Sequence, residues 1–214
     1  MTFFWIALGY LAGSFPTGFL AARLVKGVDI RAFGSGNVGA TNVGRLMGKK
    51  WAVLVSVIDM LKGAVGILAA RAAGVTDPWT IACTGFAGVC GHNFPVWLGF
   101  RGGKGVSSTF GVVFFLFPPL SFLLAPLGGI IWFVLLKAKG YVSLASLISL
   151  WSLPLIAGVL SFPIPYITSM IALASLSTFR HRENIRRLFD GTESSFRKNK
   201  QEDAERVSKS RLID

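Results

Sequence analysis

The sequence predicts an all-α integral membrane protein with seven transmembrane helices, its N-terminus outside and its C-terminus in the cytoplasm. Three observations carry this expectation. Of the 214 residues 52% are hydrophobic and only 15% charged, against about 25% charged in ordinary soluble domains. Apolar runs close to the ~20 residues needed to cross a bilayer recur through most of the chain. Of the 22 Lys and Arg, all but Lys62 and Arg71 fall on one side of the resulting tiling, as expected when positive loops stay in the cytoplasm.

Each run is bounded by charge or by proline and glycine. The first, 3–22, ends at Arg23. The second, 51–71, opens after Lys49 and Lys50 and closes on Arg71; Asp59 and Lys62 lie inside it three apart, as a structural ion pair or a functional pair reached from the cytoplasmic side. The third, 79–100, follows Pro78 and ends before Arg101. The fourth, 105–118, is cut short by Pro118 and Pro119 and leaves a tight junction with the fifth, 119–136. The sixth, 141–160, follows Gly140, and the seventh, 162–179, ends at Arg180. In the stretch HRENIRRLFDG, Ile185, Leu188 and Phe189 recur at helical spacing among arginines, which predicts a short helix on the inner membrane face ended by Gly191. Residues 1–196 read as one polytopic domain, and 197–214, mixed in charge and without aromatic residues, as a mobile tail.

Several function classes are disfavoured. The net charge of +12 sits in short loops at membrane ends, where anionic headgroups or small anionic substrates are nearer partners than nucleic acid. The first charge after the start is Arg23, so the basic head of a cleaved signal peptide is missing. Cys83 and Cys90 give neither metal spacing nor a disulfide framework and read as packing residues. There is no Gly-x-Ser-x-Gly elbow, no His-Glu-x-x-His and no aspartate cluster, so neither a metal nor a cofactor is expected. The His-x-x-x-x-Asp pair of thioester-dependent glycerolipid acyltransferases is also missing, since Trp97 follows His92 by five and Arg186 follows His181 by five.

Three polar segments share the inner side. The first, GSGNVGATNVGR at 34–45, has four glycines and no carboxylate. Gly34, Gly36 and Gly39 permit turns in which backbone N–H groups converge on an anion. Ser35, Asn37, Thr41 and Asn42 add hydrogen bonds, and Arg45 a planar fork suited to phosphate. The second, GHNFPVWLGFRGGKGVSST at 91–109, sets Lys104 among Gly102, Gly103 and Gly105 at the start of a helix, again favourable for an anion. His92, two turns inside the third run, is either a proton-transfer group or a cap on the Pro95 kink. The third, HRENIRRLFDGTESSF at 181–196, brings His181, Asn184 and Glu193 to the inner end of the seventh run and by itself also fits a basic membrane anchor. Ser143 at the mouth of the sixth run adds a small hydroxyl.

Taken together, these segments resemble the three cytoplasmic motifs of the bacterial acyl-phosphate:glycerol-3-phosphate acyltransferases, the PlsY family, approximately GSGNxGATNVxR, GHxFPVFLxFKGGKGVAT and HRENIxRLxxGxExKF. Residues 34–45 match the first throughout. Residues 91–109 match the second with Trp97 for Phe and Arg101 for Lys, and 181–196 match the third with Ser195 where Lys is frequent. The resemblance implies an enzyme of the bacterial plasma membrane with a cytoplasmic active site, transferring an acyl group from acyl-phosphate to the 1-hydroxyl of glycerol 3-phosphate. Lysophosphatidic acid and phosphate are the products, and a soluble enzyme that makes acyl-phosphate is the implied partner. On this reading Ser35 with the Gly36 and Asn37 amides holds the acyl-phosphate, Arg45 and Lys104 bind glycerol 3-phosphate and developing charge, and Ser143, His181 and Asn184 orient the polyol. Gly34, Thr41, Asn42, Gly102, Gly103 and Glu193 complete the substrate contacts. The hydroxyl proton passes to a substrate phosphate, with His92 the protein candidate. An anion or lipid transporter would instead predict polar groups at the midplane and an inverted repeat. A non-catalytic lipid scaffold would not need the glycine segments.

Overall fold

Backbone groups in hydrocarbon have no water to bond, so each apolar run closes its hydrogen bonds on itself as helix. The computed structural model describes residues 1–196, and no strand occurs among them. The helices are α1 (Thr2–Gly13), α2 (Thr17–Lys26), α3 (Ala40–Met47), α4 (Lys49–Ala72), α5 (Pro78–Asn93), α6 (Val106–Leu116), α7 (Ser121–Lys139), α8 (Val142–Val159), α9 (Ile164–Arg180) and α10 (Arg182–Phe189). Single 3-10 turns at Ile30–Ala32 and Val96–Leu98 join them. The expected tail, 197–214, lies outside the described residues.

All seven expected runs contain helix, but they differ in length. Four stretches are long and apolar enough to cross a membrane: Thr2–Lys26, α4, α7 and α8. Helices α5, α6 and α9 have 16, 11 and 17 residues. The first run is broken between Gly13 and Thr17, where Pro16 has no N–H to continue the ladder. The third stops at Asn93 rather than 100, because Pro95 lacks a donor and drives Phe94 out of the helical region. His92 therefore lies in the last turn of α5, not two turns inside it.

Helix α4 is the central post, packed against α1, α3, α5 and α6. The crossings are close because small residues meet backbone: a methyl on Gly13 would overlap the Gly88 carbonyl, and one on Gly111 the Met60 carbonyl. The main core joins α4 to α9 through Ile67, Ile81, Val112, Leu124, Leu153 and Leu173. A smaller core of Ala22, Ile30, Val38, Val43, Val55 and Leu98 lies beneath the glycine segment and fixes it to the bundle.

Candidate active site

The glycine segment is half loop and half helix. Gly34 and Gly36 take φ of +56° and +68°, a region open to glycine and costly for other residues. Asn42, expected as a substrate contact, is 1% exposed and has another task. Its Oδ1 accepts from the Ser35 amide at 3.1 Å, and its Nδ2 donates to the Ile30 and Phe33 carbonyls at 3.2 and 2.8 Å. The Gly36 amide donates to the Phe33 carbonyl at 2.9 Å, and Asn37 Oδ1 accepts from the Gly39 amide at 2.8 Å. Asn42 and the Gly36 amide, both expected at substrate, are engaged here in holding the loop. Gly34 is likewise architectural, since a Cβ there would overlap Asn42 Oδ1. Ser35 and Thr41 stay exposed, and the Ala40 and Thr41 amides at the start of α3 have no acceptor within the helix. The donor surface is thus the rim from Ser35 to Thr41.

Gly102 and Gly103 also depart from expectation. Their amides donate to the Asn93 and His92 carbonyls at 3.1 Å each, so they are not available to an anion. Their carbonyls accept from Arg180, Gly103 from Nε at 3.0 Å and Gly102 from Nη2 at 2.8 Å. The same guanidinium lies over the Phe94 ring at 5.2 Å. This turn is a rigid mount whose product is the position of Lys104, ahead of the α6 N-cap at Gly105.

From there a continuous polar network crosses to the third segment. Lys104 Nζ donates to Asn184 Oδ1. Asn184 Nδ2 and Ser143 Oγ each donate to Glu193 Oε1 at 2.7 Å, and Arg187 Nε donates to Glu193 Oε2 at 2.8 Å. Arg45 reaches the same region from α3, donating to Ser194 Oγ at 2.8 Å. The Phe196 amide donates to the Gly140 carbonyl at 2.7 Å and fastens the segment across the mouth of α8. Arg45, Lys104, Ser143, Asn184 and Glu193 are therefore brought together. Ser35, Asn37 and Thr41 make no hydrogen bond to this network among the described residues, and His92 lies behind the turn.

The electrostatics follow from these contacts. Burial pushes the Lys104 ammonium down to about 8, with the Arg187 and Arg45 charges adding to the shift and Glu193 opposing it. Burial also pushes His181 down to about 4, helped by Lys104. It is neutral at pH 7, and Nδ1, 2.8 Å from the Ser177 carbonyl, is the protonated nitrogen because a carbonyl can only accept; Nε2 is left as an acceptor. Burial raises the Glu193 carboxyl, but the hydrogen bonds from Asn184, Ser143 and Arg187 outweigh it and hold it below the usual range. Among the described residues neither Arg45 nor Lys104 has a carboxylate ion-pair partner, since Glu193 pairs with Arg187. Two neighbouring cations, neither directly ion-paired to a carboxylate, form a site for an anion.

Three contributors were not anticipated from sequence: Arg180, Arg187 and Ser194. The arginines were hidden in a basic run that also reads as a membrane anchor, although Arg187 follows Asn184 by three, one turn along the same face of α10.

The chain matches the family model described as glycerol-3-phosphate acyltransferase over residues 3–191. It is 43% identical over 194 residues to the glycerol-3-phosphate acyltransferase of Aquifex aeolicus, covering 90% of this chain and 98% of that protein. With that of Geobacter sulfurreducens the identity is 41% over 192 residues, covering 89% and 95%. Two solved structures of PlsY, an integral membrane glycerol 3-phosphate acyltransferase, share 42% identity. Its glycerol 3-phosphate form superposes with a TM-score of 0.84, covering 91% of this chain and 95% of that one. Its lysophosphatidic acid form gives 0.82, covering 91% and 94%.

Proposed function

Because this chain belongs to the glycerol-3-phosphate acyltransferase family, we propose that it transfers a fatty acyl group from acyl-phosphate to the 1-hydroxyl of glycerol 3-phosphate, on the cytoplasmic face of a bacterial plasma membrane. The proposal includes seven crossings with the N-terminus outside, supported by the one-sided placement of the cations. The carrying observation is the pair Arg45 and Lys104, from different motifs and neither ion-paired directly to a carboxylate, beside the hydrogen-bonded group Ser143, Asn184 and Glu193.

Arg45 and Lys104 bind the phosphate of glycerol 3-phosphate. Glu193, fixed by three donors, orients Ser143 and Asn184, and these with His181 Nε2 hold the polyol hydroxyls. The rim of Ser35, Asn37 and Thr41 with the α3 N-terminus takes the phosphate of the acyl donor, while its chain lies along the lipid-facing helices. The hydroxyl oxygen attacks the acyl carbon, the bond from that carbon to the phosphate oxygen breaks, and phosphate leaves with the electron pair. The acyl-phosphate is already activated, so no covalent enzyme intermediate is needed. Aligning the two reactants supplies up to about 7–11 kcal/mol in favourable cases, and the cations stabilise the charge that develops. The hydroxyl proton goes to the departing phosphate, because Glu193 is fully engaged and His181 is too weak a base.

The test is protein in lipid bilayers given glycerol 3-phosphate and, in turn, palmitoyl-phosphate, palmitoyl-CoA or palmitoyl-carrier protein, with product followed by mass. Lysophosphatidic acid from palmitoyl-phosphate alone is expected. Product from a thioester instead would replace the donor assignment, and product from none would remove the catalytic reading in this form.

A further inference from the structure

Asp59 and Lys62 are 2% and 8% exposed in α4 and take no part in the reaction above. Lys62 Nζ contacts Asp59 Oδ1 at 2.8 Å and donates to the Phe15 carbonyl, in the break between α1 and α2, at 2.6 Å. The same carboxylate oxygen faces His92 Nδ1 at 3.6 Å, beyond hydrogen-bond length, so it acts on the ring as a charge rather than as a bonded acceptor. The opposite edge of the imidazole abuts the glycine turn: a Cβ on Gly103 would overlap His92 Nε2. The backbone repeats the link, since the Gly103 amide donates to the His92 carbonyl at 3.1 Å. Asp59, His92 and Gly103 thus stand in series, and the next residue is Lys104.

A buried ion pair is poor evidence for stability, because apolar side chains of similar volume often serve as well. An apolar pair lacks one thing this pair has, a charge beside one ring nitrogen of His92. The carboxylate favours the proton on Nδ1 and resists a flip of the ring, so the edge against Gly103 is always the same one. We propose that Asp59, balanced by Lys62, is a positioning residue for glycerol 3-phosphate: it fixes His92, His92 supports the Gly102–Gly103 turn from behind as Arg180 holds it in front, and the turn sets Lys104. This rests on the reading of Lys104 as a phosphate-binding cation.

Asp59→Asn alone would leave Lys62 as an unpaired buried cation and endanger folding, so the informative variant is Asp59→Asn with Lys62→Gln, which removes both charges and leaves a polar amide at each position. Glycerol 3-phosphate affinity is read by calorimetry, and KM is read for both substrates. The affinity should fall about tenfold or more, the KM for palmitoyl-phosphate should stay unchanged, and the same double change in a His92→Gln background should add little. A lower Tm with unchanged glycerol 3-phosphate affinity would make the pair merely structural and overturn the proposal. Equal losses for both substrates, or full additivity with His92→Gln, would also overturn it. Lys104→Ala separates the two levels: unchanged glycerol 3-phosphate binding there removes the underlying reading, whereas lost binding there with no effect at Asp59 removes this inference alone.

Discussion

Lys104 joins two pressures, burial that disfavours its charge and the proposed phosphate-binding task, which requires it. With its titration brought down to about 8, it is cationic below that pH and neutral above, so turnover should decline as pH rises through about 8. Lys104→Arg keeps a cation at all working pH values and should remove that alkaline limb, whatever its effect on the plateau; a limb that persists in Lys104→Arg would assign the titration elsewhere. Glu193 acts differently, through geometry. Glu193→Gln keeps the shape but loses the charge that three donors converge on, and hydrogen bonds to charged groups are worth about 1.5–3 kcal/mol each. A fall of roughly 10- to 100-fold in kcat/KM is expected, chiefly through glycerol 3-phosphate. Steady-state kinetics with the acyl donor saturating checks this, and an unchanged KM for glycerol 3-phosphate would count against the orienting role.

Elements matter here through their ends and their closest approaches. Gly103→Ala would push a methyl into the His92 ring, displacing the turn while leaving the helices intact; activity should fall about 100-fold with Tm nearly unchanged. Gly111→Leu has the opposite profile, because it separates α6 from the Met60 carbonyl of α4, and overpacking of this kind costs about 1–3 kcal/mol. Its loss of activity should follow the unfolded fraction in a thermal scan, and retention of wild-type Tm would contradict the packing argument. The same distinction shows what the sequence makes legible. Apolar runs announce helices, so α4, α7 and α8 were placed to within a few residues of their observed ends. Pro16 and Pro95 end helices by removing donors; the hydropathy runs extend through both, although the sequence marks a kink at Pro95. Helix α3 lay hidden in a glycine-rich stretch although Ala40, Val43 and Met47 recur at helical spacing. Of the candidate site residues, Arg45, Lys104, Asn184 and Glu193 are visible one at a time as motif members, and Ser143 as a small hydroxyl at the mouth of the sixth run. Their connection through Glu193 is not, because a contact such as Ser143 with Glu193 spans 50 positions and no local pattern encodes it. For Asn42 the residue type suits a ligand, and only its burial reveals that it also holds the loop.

At the scale of the molecule, a depth argument connects fold to chemistry. Helix α6 has 11 residues, about 16 Å at 1.5 Å per residue, roughly half of a ~30 Å hydrocarbon core. Six of those residues, from Ser108 to Leu116, are buried within the bundle, so much of the short helix faces protein. On the proposed function, a short α6 would set the Gly102–Lys104 turn below the membrane surface, within reach of the reacting end of a lipid-bound acyl donor. A soluble phosphate ester can then meet it without drawing the acyl chain into water. This placement requires the turn, the α3 segment and the α10 segment to open to the same side, with an odd number of crossings between Thr2 and Thr192. Single cysteines test it in a background with Cys83→Ala and Cys90→Ala, in intact cells treated with a membrane-impermeant maleimide. Thr2→Cys should label from outside, and Thr192→Cys only after the membrane is permeabilised. Labelling of both from one side would require an even number of crossings, and the helix to reassign first would be α6, whose length departs furthest from a span.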